Sequence, residues 1–276
     1  MKRKRQNLLF WIMMVLLSTI FIGPILVMIL TSFKTNVEAQ SSDPTFLPHS
    51  WTLKAYRQLF MQDDASPVLR WLLNSIVSAT ASAILVCLFA SMAAYAFARI
   101  EFKGRKILFG IILSTMFVPS FVFLMPNFEI MSKLHWLDTL AAIIFPGTAG
   151  AFGVFFLRQF FISLPKEFEE SARVDGAGPF KTFFLIVLPN AKGAILTLFI
   201  LSFLANWNDF VWPIYVLFSD EMLTLPVGLT RLQGSYTIDY PVIMAGASIA
   251  AVPVLLLYII LQRYIIDGVA SSGLKG

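Results

Sequence analysis

The feature that most restricts what this chain can become is a succession of long windows without one charged side chain. Residues 6–33, 71–98, 107–128, 139–157 and 240–262 contain no Asp, Glu, Lys or Arg. At 1.5 Å of rise per residue, a helix through such a window can cross a hydrocarbon core of about 30 Å, the 139–157 window only just. Residues 193–208 reach only about 24 Å, but 210–219 is uncharged again. The simplest solution there is one long helix with Asp209 inside it and a kink at Pro213. These windows predict an all-α membrane protein of six transmembrane helices, over approximately 8–32, 71–98, 107–128, 139–160, 191–218 and 241–263, with residues 1–276 forming one transmembrane domain.

Composition excludes a soluble domain, with 58% of residues hydrophobic, 13% charged and a mean hydropathy of +0.77. The lone cysteine, Cys87, lies inside an apolar window, so there is neither a disulfide framework nor a thiol metal site, and it reads as a small core residue. The net charge of +5 suits membrane topology better than nucleic acid, because the basic residues sit between apolar windows rather than on one face. They crowd segments 1–5, 99–106, 158–181 and 263–276, against Lys34, Lys54, Arg57, Arg70, Lys133 and Arg231 on the opposite side, with Lys192 at a helix entrance. The positive-inside rule then puts both termini and the 158–181 segment in the cytoplasm. Met1 to Arg5 resembles the start of a signal peptide, but the apolar run that follows is too long and lacks a cleavage site, so it should stay as the first span.

Within the windows, Gly23-Pro24 should bend the first helix, and Pro119 and Pro126 should kink the third. Residues 34–70 form an extramembrane loop whose best helical stretch is Leu53 to Phe60. Ala79 with Ala83, Ala90 with Ala94, Gly246 with Ala250 and Ala247 with Ala251 place small residues four apart. That spacing allows close helix contact, although alanine is common in any transmembrane helix.

The longest charged interruption late in the chain is Glu167 to Pro189. Pro165 suits a first helical position, and Glu167, Glu169 and Glu170 oppose the positive end of the helix dipole. Gly176 can take the left-handed conformation that closes a helix, and Gly178-Pro179 starts a second one. Phe168 with Ala172, and Phe180, Phe183, Phe184 and Val187, give each short helix an apolar stripe. A solvated loop with a turn signal is the plain alternative. Asp209, beside Asn206, Trp207 and Asn208, is a pathway candidate if it lies in the membrane, or the end of a helix with Trp207 and Trp212 as belt residues.

Several classes are excluded by what is missing. No G-x-x-x-x-G-K-[ST] run occurs, so energy from ATP must come through another subunit. H-E-x-x-H and G-x-S-x-G are also absent, and the two histidines, His49 and His135, fall in outside loops. A secondary transporter would bury several paired charges and show two related halves, and an aspartyl enzyme would need a second acid near Asp209. No metal site is expected.

The residues Glu170-Ser171-Ala172-Arg173-Val174-Asp175-Gly176-Ala177, closed by Leu188-Pro189, resemble the cytoplasmic loop of the permease subunits of bacterial ABC importers. Ser171 stands where Ala is usual, and Gly193 where many relatives have proline. The resemblance extends through Asn74-Ser75, Ala93 to Arg99, Phe102 to Lys106, Asn206 to Phe210 and Leu225 to Leu229. The ending Gln262 to Gly276 is similar to that of the shorter permease of the maltose and oligosaccharide importers. It implies a type I importer permease fold in which loop 165–183 couples to an ATPase through Phe168, Glu170, Ser171, Ala172, Asp175, Gly176, Ala177 and Phe180. Glu170 and Asp175 would fix the loop's shape as helix-end and salt-bridge residues, and Phe168 and Phe180 would pack it.

Asn206, Trp207, Asn208 and Asp209 are the candidates for the translocation path, because an ionisable group at the depth of Asp209 is costly unless it faces water or a partner, and the resemblance places this stretch in the family's fifth span. The resemblance assigns Arg231, Leu232, Gln233, Gly234 and Ser235 to a binding-protein contact, and Leu274, Lys275 and Gly276 to an ATPase-contacting tail. Implied partners are a second homologous permease, two cytoplasmic ATPases that bind ATP and Mg, an extracytoplasmic solute-binding protein, a sugar and the lipid bilayer, and the implied location is a bacterial inner membrane. No cofactor belongs to this chain, and no catalytic residue. Glycerol phosphate or another polyol is the rival substrate. It would favour a basic cavity, and the apolar windows hold no basic residue. Outside the class the rival is a stand-alone channel or scaffold.

Overall fold

The computed structural model describes residues 2–61, 67–232 and 238–273. Among them the regular elements are all helical: α1 (Lys2–Ser32), α2 (Asn36–Ala39), α3 (Lys54–Met61), α4 (Val68–Arg99), α5 (Arg105–Ser114), α6 (Leu124–Lys133), α7 (Ala141–Ile144), α8 (Ala151–Ser163), α9 (Glu167–Val174), α10 (Pro179–Thr182), α11 (Leu188–Asn190), α12 (Lys192–Trp207), α13 (Val211–Val216), α14 (Leu225–Arg231) and α15 (Tyr240–Gly273). The chain forms two compact units, residues 1–72 with 225–253 and residues 73–224 with 254–276.

In the first unit, Pro24 lies inside α1 without ending it, and the large apolar side chains from Phe10 to Val27 are exposed. The expected helix near Leu53–Phe60 is α3, held to the end of α1 by Tyr56, whose hydroxyl meets Ser32 Oγ at 2.8 Å and whose ring lies 5.2 Å from that of Phe33. Glu38 organises the loop between them by accepting the Thr45 hydroxyl and the His49 N–H, both at 2.9 Å. The His49 bond is the main reason its carboxyl titrates below the ordinary range. Gln40 Nε2 donates to Ile238 O at 2.7 Å. Gly228 on α14 faces the Trp71 ring so closely that a Cβ would stand 2.1 Å from Trp71 Cδ2, and Gly246 meets Leu229 in the same way at 2.4 Å. Bare backbone is what lets these helices approach.

The second unit is built on the remainder of α4. Ala79, Ala83, Ala90 and Ala94 are all buried, as the small-residue spacing predicts. A Cβ on Gly153 of α8 would lie 3.0 Å from that of Ala90 and 3.3 Å from Leu198 Cδ2 of α12, so these three helices pack at near backbone distance. Cys87, Leu157, Phe161, Phe183 and Val187 belong to the same core. At the other end of α4, Asn74 Nδ2 donates to the carbonyls of Glu221 and Leu223 at 2.8 and 2.9 Å.

Three expected crossings are not straight helices. The 107–128 window breaks at Val118-Pro119, and its halves meet at 97°. Proline lacks the N–H and forces the preceding residue into an extended conformation, here ψ 120° at Val118. Pro126 makes no kink, because as the third residue of α6 its missing N–H costs no helical bond. The 139–157 window splits into α7 and α8 around Gly147 and Gly150, leaving α8 only about 20 Å long. The long fifth helix with Asp209 inside is also absent. Instead α12 ends at Trp207, Asn208 turns its amide back to Leu204 O at 2.9 Å, and Asp209 sits before α13, where Pro213 is a third residue rather than a kink. Among the described residues three helices, or up to five crossings if each bent pair counts as one, are long and apolar enough to cross a membrane, and Ala151–Ser163 is shorter.

Candidate functional site

The loop between α8 and α12 is fixed by its own sequence. The carbonyl of Lys166 accepts the N–H groups of Glu169 and Glu170, so α9 begins at Glu167 and Pro165 lies before it rather than at its first position. At the other end Gly176 has φ +77°. The Ala177 N–H returns to Ala172 O at 2.9 Å, closing the helix with the left-handed corner that the glycine predicts. Pro179 then opens α10 from Gly178, and α10 continues through a wide turn, Phe183–Val187, into α11. That turn buries Phe183 and Val187.

The two faces of α9 differ. Glu169 and Ala172, three residues apart, are buried. Phe168 is 51% exposed and Val174 87%, as is 73% of Phe180 on α10. Phe168 and Phe180 are therefore not packing residues within this chain. They form an apolar outer surface, while the stripe's inner half is Ala172, Phe183 and Val187. Glu170 and Asp175 are both exposed, and Ser171 bonds back to Glu167 O at 2.9 Å. The acid that fixes the loop is Glu169, whose carboxylate lies 2.6 Å from Arg99 Nε with both side chains 6% exposed. The same guanidinium donates through Nη2 to Leu164 O at 2.8 Å. A cleft of about 620 Å³ opens beside the pair, lined by Ile100, Arg105, Lys166, Glu170 and Pro179 among others.

Sequence reasoning missed this pair. Its signal was an acid on the Ala172 face of an amphipathic helix and an arginine closing an apolar one, but nothing local joins residues so distant in the chain.

The remaining site residues do not converge. Asn206 Nδ2 donates to Ile143 O at 3.0 Å, and Trp207 is buried and stacked on Phe203 with ring centroids 5.6 Å apart. Trp207 is thus neither a belt residue nor free to line a path, and Trp212 is tied through Nε1 to Ala142 O at 2.8 Å. Asn208 is exposed and Asp209 half-buried, its carboxylate facing the Trp212 N–H at 3.4 Å. Arg231 ends α14 with its side chain exposed, and Leu232 follows it. Gln233, Gly234, Ser235, Leu274, Lys275 and Gly276 lie outside the described residues. Among the described residues, no three His, Cys, Asp or Glu side chains gather as metal ligands.

Comparisons with known proteins give one answer. Residues 87–270 match the family described as binding-protein-dependent transport system inner membrane component. The arabinooligosaccharides transport system permease protein AraQ of Halalkalibacterium halodurans is 35% identical, covering 100% of both chains. The diacetylchitobiose uptake system permease protein NgcG of Streptomyces coelicolor is 34% identical over 94% of this chain and 86% of its own. The trehalose/maltose transport system permease protein MalG of Thermococcus litoralis is 31% identical over 95% and 94%. In fold, the chain is similar to one in the crystal structure of a bacterial ABC transporter that imports the acidic polysaccharide alginate, with TM-score 0.84, 22% identity and coverage of 95% and 97%. The chain therefore belongs to the family of binding-protein-dependent transport system inner membrane components, as a multi-pass permease of the ABC transporter class and not an enzyme.

Proposed function

We propose that this chain is one half of the membrane path of an importer for a sugar or oligosaccharide, and that loop 165–183 receives the motion of a cytoplasmic ATPase. The observation that carries the reading is the division of α9 and α10 into an inner face anchored to the bundle and an outer face of Phe168, Val174 and Phe180 left bare. A few apolar side chains on a rigid, otherwise polar loop suit a cleft on a partner protein. ATP and Mg would be held by that partner. When the ATPases close on ATP, the docked loop moves as a lever without chemistry of its own, and the bundle passes from inward-facing to outward-facing. A second permease of the same fold would complete the path, with the termini and the loop in the cytoplasm.

Saccharide cargo is supported by the names of relatives that the chain matches along almost its whole length, which transport arabinooligosaccharides, diacetylchitobiose and trehalose or maltose. A solute-binding protein would deliver it near α14 and the segment after Arg231. The test is ATP hydrolysis by the complex in lipid nanodiscs, with and without binding protein loaded from a panel of arabino-, chito- and malto-oligosaccharides. Stimulation by one loaded binding protein supports the reading. Hydrolysis indifferent to the presence of this chain overturns it.

A further inference from the structure

Glu169 and Arg99 form the one ion pair among the described residues in which both partners are buried. Burying two charges is seldom chosen for stability, because desolvation offsets most of their attraction, while removing either partner leaves an uncompensated charge. A dry pair is, however, stiff in a way that an exposed, screened and mobile one is not. The placement gives that stiffness a use. Arg99 is the last residue of α4, the long helix whose alanines line the core of the second unit. Its Nε meets Glu169 on the inner face of α9, and its Nη2 meets the carbonyl of Leu164 in the connection from α8. One planar guanidinium therefore clamps the end of α4, the end of α8 and the coupling helix together.

Among the described residues Arg99 with Glu169 is the one ion pair that joins α9 to α4, and in the neighbouring apolar groove the rings of Tyr95 on α4 and Phe183 after α10 lie 5.1 Å apart. We infer that Arg99 is the positioning residue through which a displacement of α9 becomes a displacement of α4, so that α9, the start of α10 and the end of α4 move as one body. This rests on the reading of α9 as the ATPase-docking helix and adds the joint by which the lever is fixed to its load.

The test uses the assembled complex in nanodiscs, with Cys87→Ala removing the native thiol. Nitroxides placed at Glu167→Cys on α9, outside the docking face, and Met92→Cys on α4 report their separation by pulsed electron resonance, in the apo state and with ATP and vanadate. Phosphate release follows hydrolysis. With Arg99 intact, the distance distribution should stay narrow and unshifted by nucleotide. Arg99→Met should lose that fixed distance once ATP and vanadate are added, while the complex still releases phosphate. Arg99→Lys, which keeps a charge for Glu169, should restore much of it. If Arg99→Met fails to assemble, Glu169→Gln, which keeps the shape of the acid, should show the same nucleotide-dependent loosening. A distribution in the neutral variants as narrow and unshifted as with the pair intact overturns the proposal. Failure of the wild-type chain to retain any ATPase would instead overturn the docking reading on which it rests.

Discussion

Replacing Gly176 separates conformational strain from collision, because a Cβ there would meet nothing within 4 Å while the residue holds φ +77°. Any penalty is therefore the cost of the left-handed conformation itself, about 1–2 kcal/mol for an ordinary L-residue. On that scale, the population of a corner made with alanine falls by about 5- to 30-fold relative to glycine. A β-branched valine should be worse, and asparagine, which tolerates this conformation, should fall between glycine and alanine. The reporter is the Ala177 amide, bonded to Ala172 O at 2.9 Å only when the corner is closed. Hydrogen exchange of the purified chain in nanodiscs should show that amide accelerating in the order Gly, Asn, Ala, Val. Stimulated ATP hydrolysis in the complex should decline in the same order, since a frayed α9 cannot hold its outer face. Equal protection of Ala177 in Gly176→Ala and wild type would refute the conformational argument. Normal stimulation in Gly176→Val would refute the link from corner to coupling.

Other expectations test other joints of the fold. Gly228→Ala forces a methyl to within 2.1 Å of the buried Trp71 ring, so it should lower the melting temperature in detergent by the equivalent of about 1–3 kcal/mol. Adding Trp71→Phe should recover part of that loss, whereas additive losses would contradict the contact. Asn74→Ala removes the donor to two carbonyls at 2.8 and 2.9 Å, and leaving them unpaired should cost about 1–3 kcal/mol, read as a lower denaturation midpoint. Asp138 joins the loop before α7 to the one after α13 by accepting the N–H groups of Phe218 at 2.8 Å and Ser219 at 3.0 Å, together with the Ser219 hydroxyl. Burial alone would raise its pKa, but these bonds outweigh burial and hold it below the ordinary value of 3.8. With the folded pKa depressed, its contribution is complete above that ordinary value and is lost as pH falls through the lower folded one. The amide resonances of Phe218 and Ser219 should therefore move together on acidification below 3.8, and should show no such step in Asp138→Asn.

Much of the fold was legible where the physics is local. Uncharged length identified α1, α4 and α15, small residues four apart identified the packed face of α4, and a glycine after an amphipathic turn identified the corner at Gly176. The broken crossings were harder. Pro119 and Pro126 look alike in the sequence, yet only Pro119 interrupts a helix, because Pro126 falls in a first turn where no bond depends on it. At Asn208-Asp209 the end of α12 is set by side-chain bonds to backbone, Asn208 to Leu204 and Asp209 to Trp212, which compete with helix continuation in a way that hydropathy does not register. The site shows the same division. The shape of α9 and α10 follows from their residues, but which acid is buried depends on Arg99, brought close only by the packing of α4 against α8. For the same reason Trp207 belongs to the core, where its neighbour in the stack is Phe203.

The central claim is that the outer face of α9 and α10 is where an ATPase sits. A photoreactive phenylalanine analogue replacing Phe168, and separately Phe180, in the cell that makes the complex tests it directly. After irradiation, the captured partner is digested and identified by mass spectrometry. The account predicts that both positions capture one cytoplasmic protein carrying a G-x-x-x-x-G-K-[ST] phosphate loop, and that the same probe at Ile130, exposed on α6 and lining neither the cleft nor the groove beside α9 and α10, does not. Capture of lipid alone from Phe168 and Phe180, or of the same ATPase equally well from Ile130, would contradict it.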